Sequence, residues 1–185
     1  MGIPVNIEQL IGRQVVESSR IEFKRSLNPA SVLRTICAFA NDIDNLGGGY
    51  IVIGVEEDNG TPVLPPAGLP LEQLDGMQKK LLEYCHHIEP LYEPAVEPVR
   101  YQGVWLLVIR VAGGHGRPYK APRDVTAPKS EKAYFIRKFS STVVASHEEE
   151  KELFYISSSI PFDDRPNLAA SVSDLDLGLM REHLR

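Results

Sequence analysis

Apolar residues recur along the chain with two different periods, and the switches between them mark out the elements. Val32, Leu33, Ile36, Cys37 and Ala40 fall at three- and four-residue spacing and predict a helix with one buried stripe. Asn28-Pro29 opens it, since Asn caps a helix well and Pro suits the first helical position. Gly47-Gly48-Gly49 then breaks the chain before the run Tyr50-Ile51-Val52-Ile53-Gly54-Val55, whose length and β-branched content predict a buried strand. Upstream, residues 5–13 read as a short helical lead-in. Residues 14–26 mix Val15, Val16, Ile21 and Phe23 with charges, as a bent or bulged strand would. Asp58-Asn59-Gly60 signals a turn, with a short return strand expected at 61–64.

The second half repeats the alternation. A connection holding Pro62, Pro65, Pro66 and Pro70 leads to a helix at 71–88, where Leu71, Leu74, Met77, Leu81, Cys85 and Ile88 form the stripe. Strands follow at 95–101 and 103–111, joined at Gln102-Gly103 as a hairpin. Residues 113–132 read as a long basic loop rich in Gly and Pro, and 133–139 as a further strand. Ser146 and Glu149 form a capping box, so the acidic run 148–150 serves a helix start. Beyond 159 an extended connector leads to an amphipathic helix carrying Leu175, Leu179 and Leu184. The fold class is therefore α/β (α+β), a mixed sheet flanked by helices. Residues 1–157 make one domain, and residues 158–185 a connector and helix that begins a further domain or joins copies into a homo-oligomer.

Composition narrows the class. With 43 % apolar and 24 % charged positions in 185 residues, the chain has what a packed core needs. No apolar run approaches the ~20 residues of a membrane span, and the N-terminus shows no secretory pattern. Position 6 is Asn where a myristoylation signal wants Ser or Thr. Cys37 and Cys85 give no disulfide framework, and a cytoplasmic domain is expected. The net charge of −5 disfavours a general nucleic-acid binder, yet the charge is segregated. Residues 13–34 hold five bases against two acids, and residues 110–138 hold eight against two. Folded together, two such segments make one basic face.

The chemistry concentrates in a few stretches. Glu17-Ser18-Ser19-Arg20-Ile21-Glu22-Phe23-Lys24 is followed by Ala38-Phe39-Ala40-Asn41, then by the glycines and strand at 47–60. Later come Tyr134-Phe135-Ile136-Arg137, Ser140-Ser141-Thr142 and Ala145-Ser146. In this order they resemble the Schlafen AlbA-like domain over about residues 15–155, with the link at 42–46 longer than the pattern.

The resemblance implies one of two activities. Bacterial members are described as DNA-binding domains of transcriptional regulators or of RecG-helicase-related proteins. Certain Schlafen proteins resemble metal-dependent endoribonucleases that use three carboxylates, two of them in the E-x4-E motif. Here those two correspond to Glu17 and Glu22, with Asp58 the third catalytic and metal-binding candidate among Glu56, Glu57 and Asp58, for Mg²⁺ or Mn²⁺. Five-residue spacing places Glu17 and Glu22 on opposite faces of a regular strand, so a shared ion demands a bend. The competing reading makes them exposed acids paired with nearby bases. The candidate phosphate contacts are Arg20, Lys24, Arg25, Arg34, Arg117, Lys120, Arg123, Lys129, Lys132, Arg137 and Lys138, on DNA or structured RNA. Tyr119 and Tyr134 lie among them as stacking or packing residues. Binding as such calls for no cofactor. ATP is not expected, because the glycines precede a strand and no G-x4-G-K-[ST] is present. Asn41 reads as a cap or turn residue. No zinc spacing or acyl-transfer constellation is visible, and a protein-interaction domain is the third class.

Overall fold

Two interleaved apolar sets run along residues 49–53 and 104–111 because both faces of their sheet are covered. The computed structural model of the chain describes residues 6–12, 17–125, 127 and 130–158, and the amphipathic helix expected near 174–184 lies outside them. In chain order the elements are α1 (Ile7–Ile11), β1 (Ile21–Lys24), α2 (Pro29–Asn41), β2 (Gly49–Ile53), β3 (Glu57–Asp58) and β4 (Thr61–Pro62). They continue with α3 (Leu71–Cys85), β5 (Ala95–Tyr101), β6 (Val104–Val111), β7 (Lys120–Pro122), β8 (Lys132–Lys138), β9 (Ser141–Val144) and α4 (His147–Ser158). Among them no helix is long and apolar enough to cross a membrane.

The main sheet has the order β1-β2-β6-β5, with β1 parallel to β2 and the rest antiparallel. It is the mixed sheet that the hairpin at Gln102-Gly103 required. Strands β7, β8 and β9 form a second, antiparallel group, and β3 pairs with β4 as a small arm. Helix α2 packs against both larger sheets, which explains why nine of its residues are buried. Ile51, Ile53, Leu107, Ile109 and Val111 meet it from the main sheet, and Ala121, Ala133 and Phe135 from the second. The opposite face of the main sheet, with Phe23, Val52, Leu106 and Val108, is covered by Leu10 and Ile11 of α1.

Local signals set the boundaries. Asn28 caps α2 by accepting from the Ser31 N–H at 3.1 Å, and the helix ends at Asp42 in left-handed conformation, φ 43°. The Asp42 carboxylate then accepts from the N–H groups of Leu46 and Gly47, closing the link to β2 on itself. Gly48 is required there: with φ 76°, a Cβ would lie 2.1 Å from the Val111 carbonyl oxygen. At α4 the Ser146 N–H donates to Glu149 Oε2 at 2.8 Å, and the Ser146 hydroxyl accepts from the Glu149 N–H, the reciprocal capping box.

Three expectations need correction. The loop expected at 113–132 contains β7, which its Gly and Pro residues conceal and which pairs with β8 while covering α2. The strand β9 also escapes period-based reading, because Ser141 is exposed, the other three residues are half-buried, and the strand follows β8 after a two-residue turn. Leu71, expected in the buried stripe of α3, is exposed, whereas Leu74, Leu81 and Cys85 of that helix are buried and Met77 packs partly buried against the core.

Asn41 is neither cap nor turn. It is fully buried, its Nδ2 donates to the carbonyls of Tyr119 and Phe135 at 2.9 and 2.8 Å, and its Oδ1 accepts from the Tyr119 N–H at 2.6 Å. One side chain thus ties α2 to the start of β7 and to β8. Asn41→Ala takes this partner from the Tyr119 N–H and the Phe135 carbonyl and leaves the Tyr119 carbonyl only the Cys37 thiol, so a loss of about 3 kcal/mol is expected in urea denaturation.

Candidate functional site

The segment before β1 bends rather than continuing as a strand. The Ser18 N–H donates to the Ile21 carbonyl at 3.2 Å, and the Glu17 N–H donates to Gly60 at 2.6 Å. This turn brings Glu17 Oε1 back to accept from the Phe23 N–H at 2.7 Å. The bend that E-x4-E spacing needed is therefore present, and Glu17 and Glu22 line one cavity of about 420 Å³ together with Lys24 and Arg34.

Beside that cavity Arg137, only 5 % exposed and lining the larger one next to it, reaches from β8 to Glu22 on β1, itself 6 % exposed. Arg137 Nη1 donates to Glu22 Oε2 at 2.7 Å and to Thr142 Oγ1 at 2.9 Å, and Nη2 donates to the Ser18 carbonyl at 2.9 Å. Lys24 takes the other Glu22 oxygen. Thr142 is also 3.2 Å from the hydroxyl of Thr35 on α2, and the guanidinium lies 5.2 Å from the Phe39 ring centroid. Its Nε is the one buried side-chain nitrogen or oxygen among the described residues that lacks a hydrogen-bond partner. A buried charge of this kind is tolerated only because its partner and the surrounding hydrogen bonds compensate its desolvation.

Glu17 differs from Glu22. Burial pushes its carboxyl above the ordinary range, the Phe23 N–H opposes this, and the negative charges of Glu22 and Glu57 add to the rise. Asp58 contributes nothing there. It accepts from its neighbour Asn59 at 3.0 Å on the exposed β3–β4 turn. Among the described residues no three His, Cys, Asp or Glu side chains group so as to hold a metal ion. The trio Glu17, Glu22 and Asp58 is therefore not assembled as a ligand set, and Glu22 already serves two cations.

The candidate cations divide by location. Lys24, Arg34, Arg137 and Lys138 surround the hairpin of β8 and β9, together with the hydroxyls of Ser31, Ser140, Ser141 and Thr142. Arg34 carries no ion pair among the described residues; its Nε donates to the Ala30 carbonyl. Arg20 is exposed, and its Nε donates to the Gly48 carbonyl. Lys138 pairs with Glu149 at 2.5 Å and Arg25 with Glu56 at 2.7 Å.

The remaining basic positions serve a different part of the fold. Lys120 and Lys132 share Glu89, Arg123 faces Glu131, and Arg117 fastens the link after α2 through the Asn41 and Asp42 carbonyls. Lys129 lies outside the described residues. Tyr119 is buried and Tyr134 stacks edge-on against Phe154, so both are packing residues. Burial pushes the thiols of Cys37 and Cys85 up to about 12, leaving them unreactive.

A second cavity, of about 700 Å³, adjoins the first, and Glu17 and Ser140 line both. Its walls differ in character. Ile43, Ile136 and Phe139 are apolar, Glu17, Asp44, Glu149 and Glu152 supply carboxylates, and Arg137 and Lys138 supply cations. Phe139 had no role in the sequence reading, and Ser140, Ser141 and Thr142 entered it only as part of the resemblance. The only signal was an apolar residue in a turn between two strands, and it becomes visible only when β9 is recognised.

The model of the family described as Schlafen, AlbA_2 matches residues 17–146. Among solved structures, the DIP2311 protein from Corynebacterium diphtheriae aligns with TM-score 0.52 and 18 % identity, covering 82 % of this chain, and shows the fold. This chain spans only 28 % of that protein. The N-terminal domain of a RecG-related protein from Nitrosomonas europaea is 32 % identical, with TM-score 0.47, over 72 % of this chain and 88 % of its own. No curated protein matches the chain significantly.

The raised Glu17 carboxyl has a consequence for stability. A group that binds its proton more tightly when folded favours folding below its ordinary value of 4.5, and that contribution is lost as pH rises through the raised folded value. Glu17→Gln should therefore be more stable than wild type at pH ~7.5, with the gap closing by pH ~4, as urea denaturation at the two pH values will show.

Proposed function

The chain belongs to the Schlafen AlbA_2 family, and we propose that its domain binds nucleic acid by seating backbone phosphate in the cavity between α2 and the β8–β9 hairpin. The supporting observation is the composition of that cavity: Lys24 and Arg34 at its rim, and hydroxyls from Ser31, Ser140, Ser141 and Thr142 around it. Lys24 and Arg34 face the carboxylates of Glu17 and Glu22, and because Glu22 is already paired with Lys24 and Arg137, Arg34 is left as the lining cation with no ion pair among the described residues. Hydroxyl and cationic donors together are what phosphate oxygens require.

The likeness to the N-terminal domain of a RecG-related protein, 32 % identical, is in keeping with this reading. So is the expected setting in a transcriptional regulator. Because the chain as a whole is acidic, binding rests on this local patch. The cations around Glu89 and Glu131 are already neutralised and contribute little.

A salt titration with labelled duplex DNA and with structured RNA tests the reading. Affinity should fall steeply as salt rises. Arg34→Glu should weaken binding roughly tenfold and lower the salt slope by about one. Lys120→Glu should leave both unchanged. Salt-independent binding, or equal losses in the two variants, would overturn the assignment. Mn²⁺-dependent cleavage of RNA, abolished by Glu22→Gln and absent in EDTA, would replace it with the nuclease.

A further inference from the structure

Phe139 combines two unusual features. It is the most exposed large apolar side chain among the described residues, at 89 %, and its φ of 54° lies where L-residues are strained. A two-residue turn between Lys138 and Ser141 would be better served by glycine at that position. Neither feature benefits packing, because the ring is turned to solvent. Strain combined with an exposed aromatic ring is a pattern found where a side chain serves a ligand.

The surroundings indicate what the ligand offers. Phe139 borders the larger cavity, whose other apolar walls are Ile43 and Ile136 and whose charged groups are the carboxylates of Glu17, Asp44, Glu149 and Glu152 and the cations Arg137 and Lys138, paired with Glu22 and Glu149. Glu149 is held ionised, since Lys138 and the Ser146 N–H keep its carboxyl below the usual range. With four carboxylates against two cations, both already ion-paired, the cavity disfavours phosphate and suits the amino groups of a nucleobase. The volume of about 700 Å³ suits a base and its sugar. On the far side of Ser140 lies the cavity lined by Lys24, Arg34 and the hydroxyls. We propose that Phe139 stacks on an unpaired nucleobase received by the larger cavity while the adjacent phosphate occupies the smaller one beside Arg34, so that the domain selects nucleic acid with unstacked bases over continuous duplex. This rests on the phosphate assignment made above and adds the class of nucleic acid.

The test compares the 185-residue wild type with Phe139→Gly and Phe139→Trp. The probes are a single-stranded oligonucleotide carrying a fluorescent adenine analogue and a fully paired duplex. Wild type should prefer the single strand and quench the analogue. Phe139→Gly should lose roughly tenfold in affinity for the single strand and lose the quenching, with duplex binding unchanged. Phe139→Trp should restore both. Relief of backbone strain should raise the Tm of Phe139→Gly by roughly 2–4 °C, separating loss of binding from loss of folding.

Undiminished single-strand binding by Phe139→Gly would overturn this inference and leave the phosphate assignment standing. A change in molecular mass without a change in affinity would also overturn it, making the ring a protein contact. Wild type that binds neither probe would overturn both.

Discussion

The ion pair between Glu22 and Arg137 is the interaction on which the arrangement of this domain depends. The partners are 115 residues apart in sequence, one on the main sheet and one on the second, and α2 packs against both sheets. Arg137 also draws in Ser18 and Thr142, and Thr142 reaches Thr35 on α2. A single guanidinium thereby orients the turn before β1, the β8–β9 hairpin and the helix. Buried ion pairs of this kind contribute little net stability against an apolar replacement, but removing one partner costs about 3–5 kcal/mol. Its value here lies in position: it fixes where the two cavities meet and holds Ser140 and Phe139 at their boundary.

That arrangement separates charge over a short distance. One cavity is balanced, Lys24 and Arg34 against Glu17 and Glu22, while the other is acidic, Glu17, Asp44, Glu149 and Glu152 against Arg137 and Lys138. A ligand that is anionic along its backbone and rich in donor groups on its bases matches both at once. Outside this region Arg25, Lys120, Arg123 and Lys132 are paired with Glu56, Glu89 and Glu131, so they compete little for such a ligand.

Much of the fold was legible in the sequence wherever the signal is local. The stripe of α2, the Asn28 cap, the capping box at Ser146 and the hairpin at Gln102-Gly103 depend on neighbours within a few residues. Strand β7 was hidden because its pairing with β8 and its contact with α2 are tertiary, and its Gly- and Pro-rich flanks read as loop. Asn41 looked like a cap because its three partners are 78 and 94 residues away. For the candidate site, Glu17, Glu22, Lys24 and Arg34 were identified and do share a cavity. What spacing alone did not disclose was that Arg137 is buried against Glu22 rather than facing solvent, that Asp58 stands apart, and that Phe139 marks the edge of a second cavity.

An amide-resonance NMR titration with a short single-stranded oligonucleotide tests the central claim most directly. The account predicts perturbed resonances at Lys24, Arg34 and residues 138–142, with residues 120–125 and 131–133 unmoved. Perturbation centred on the latter residues, or none at the hairpin, would contradict it.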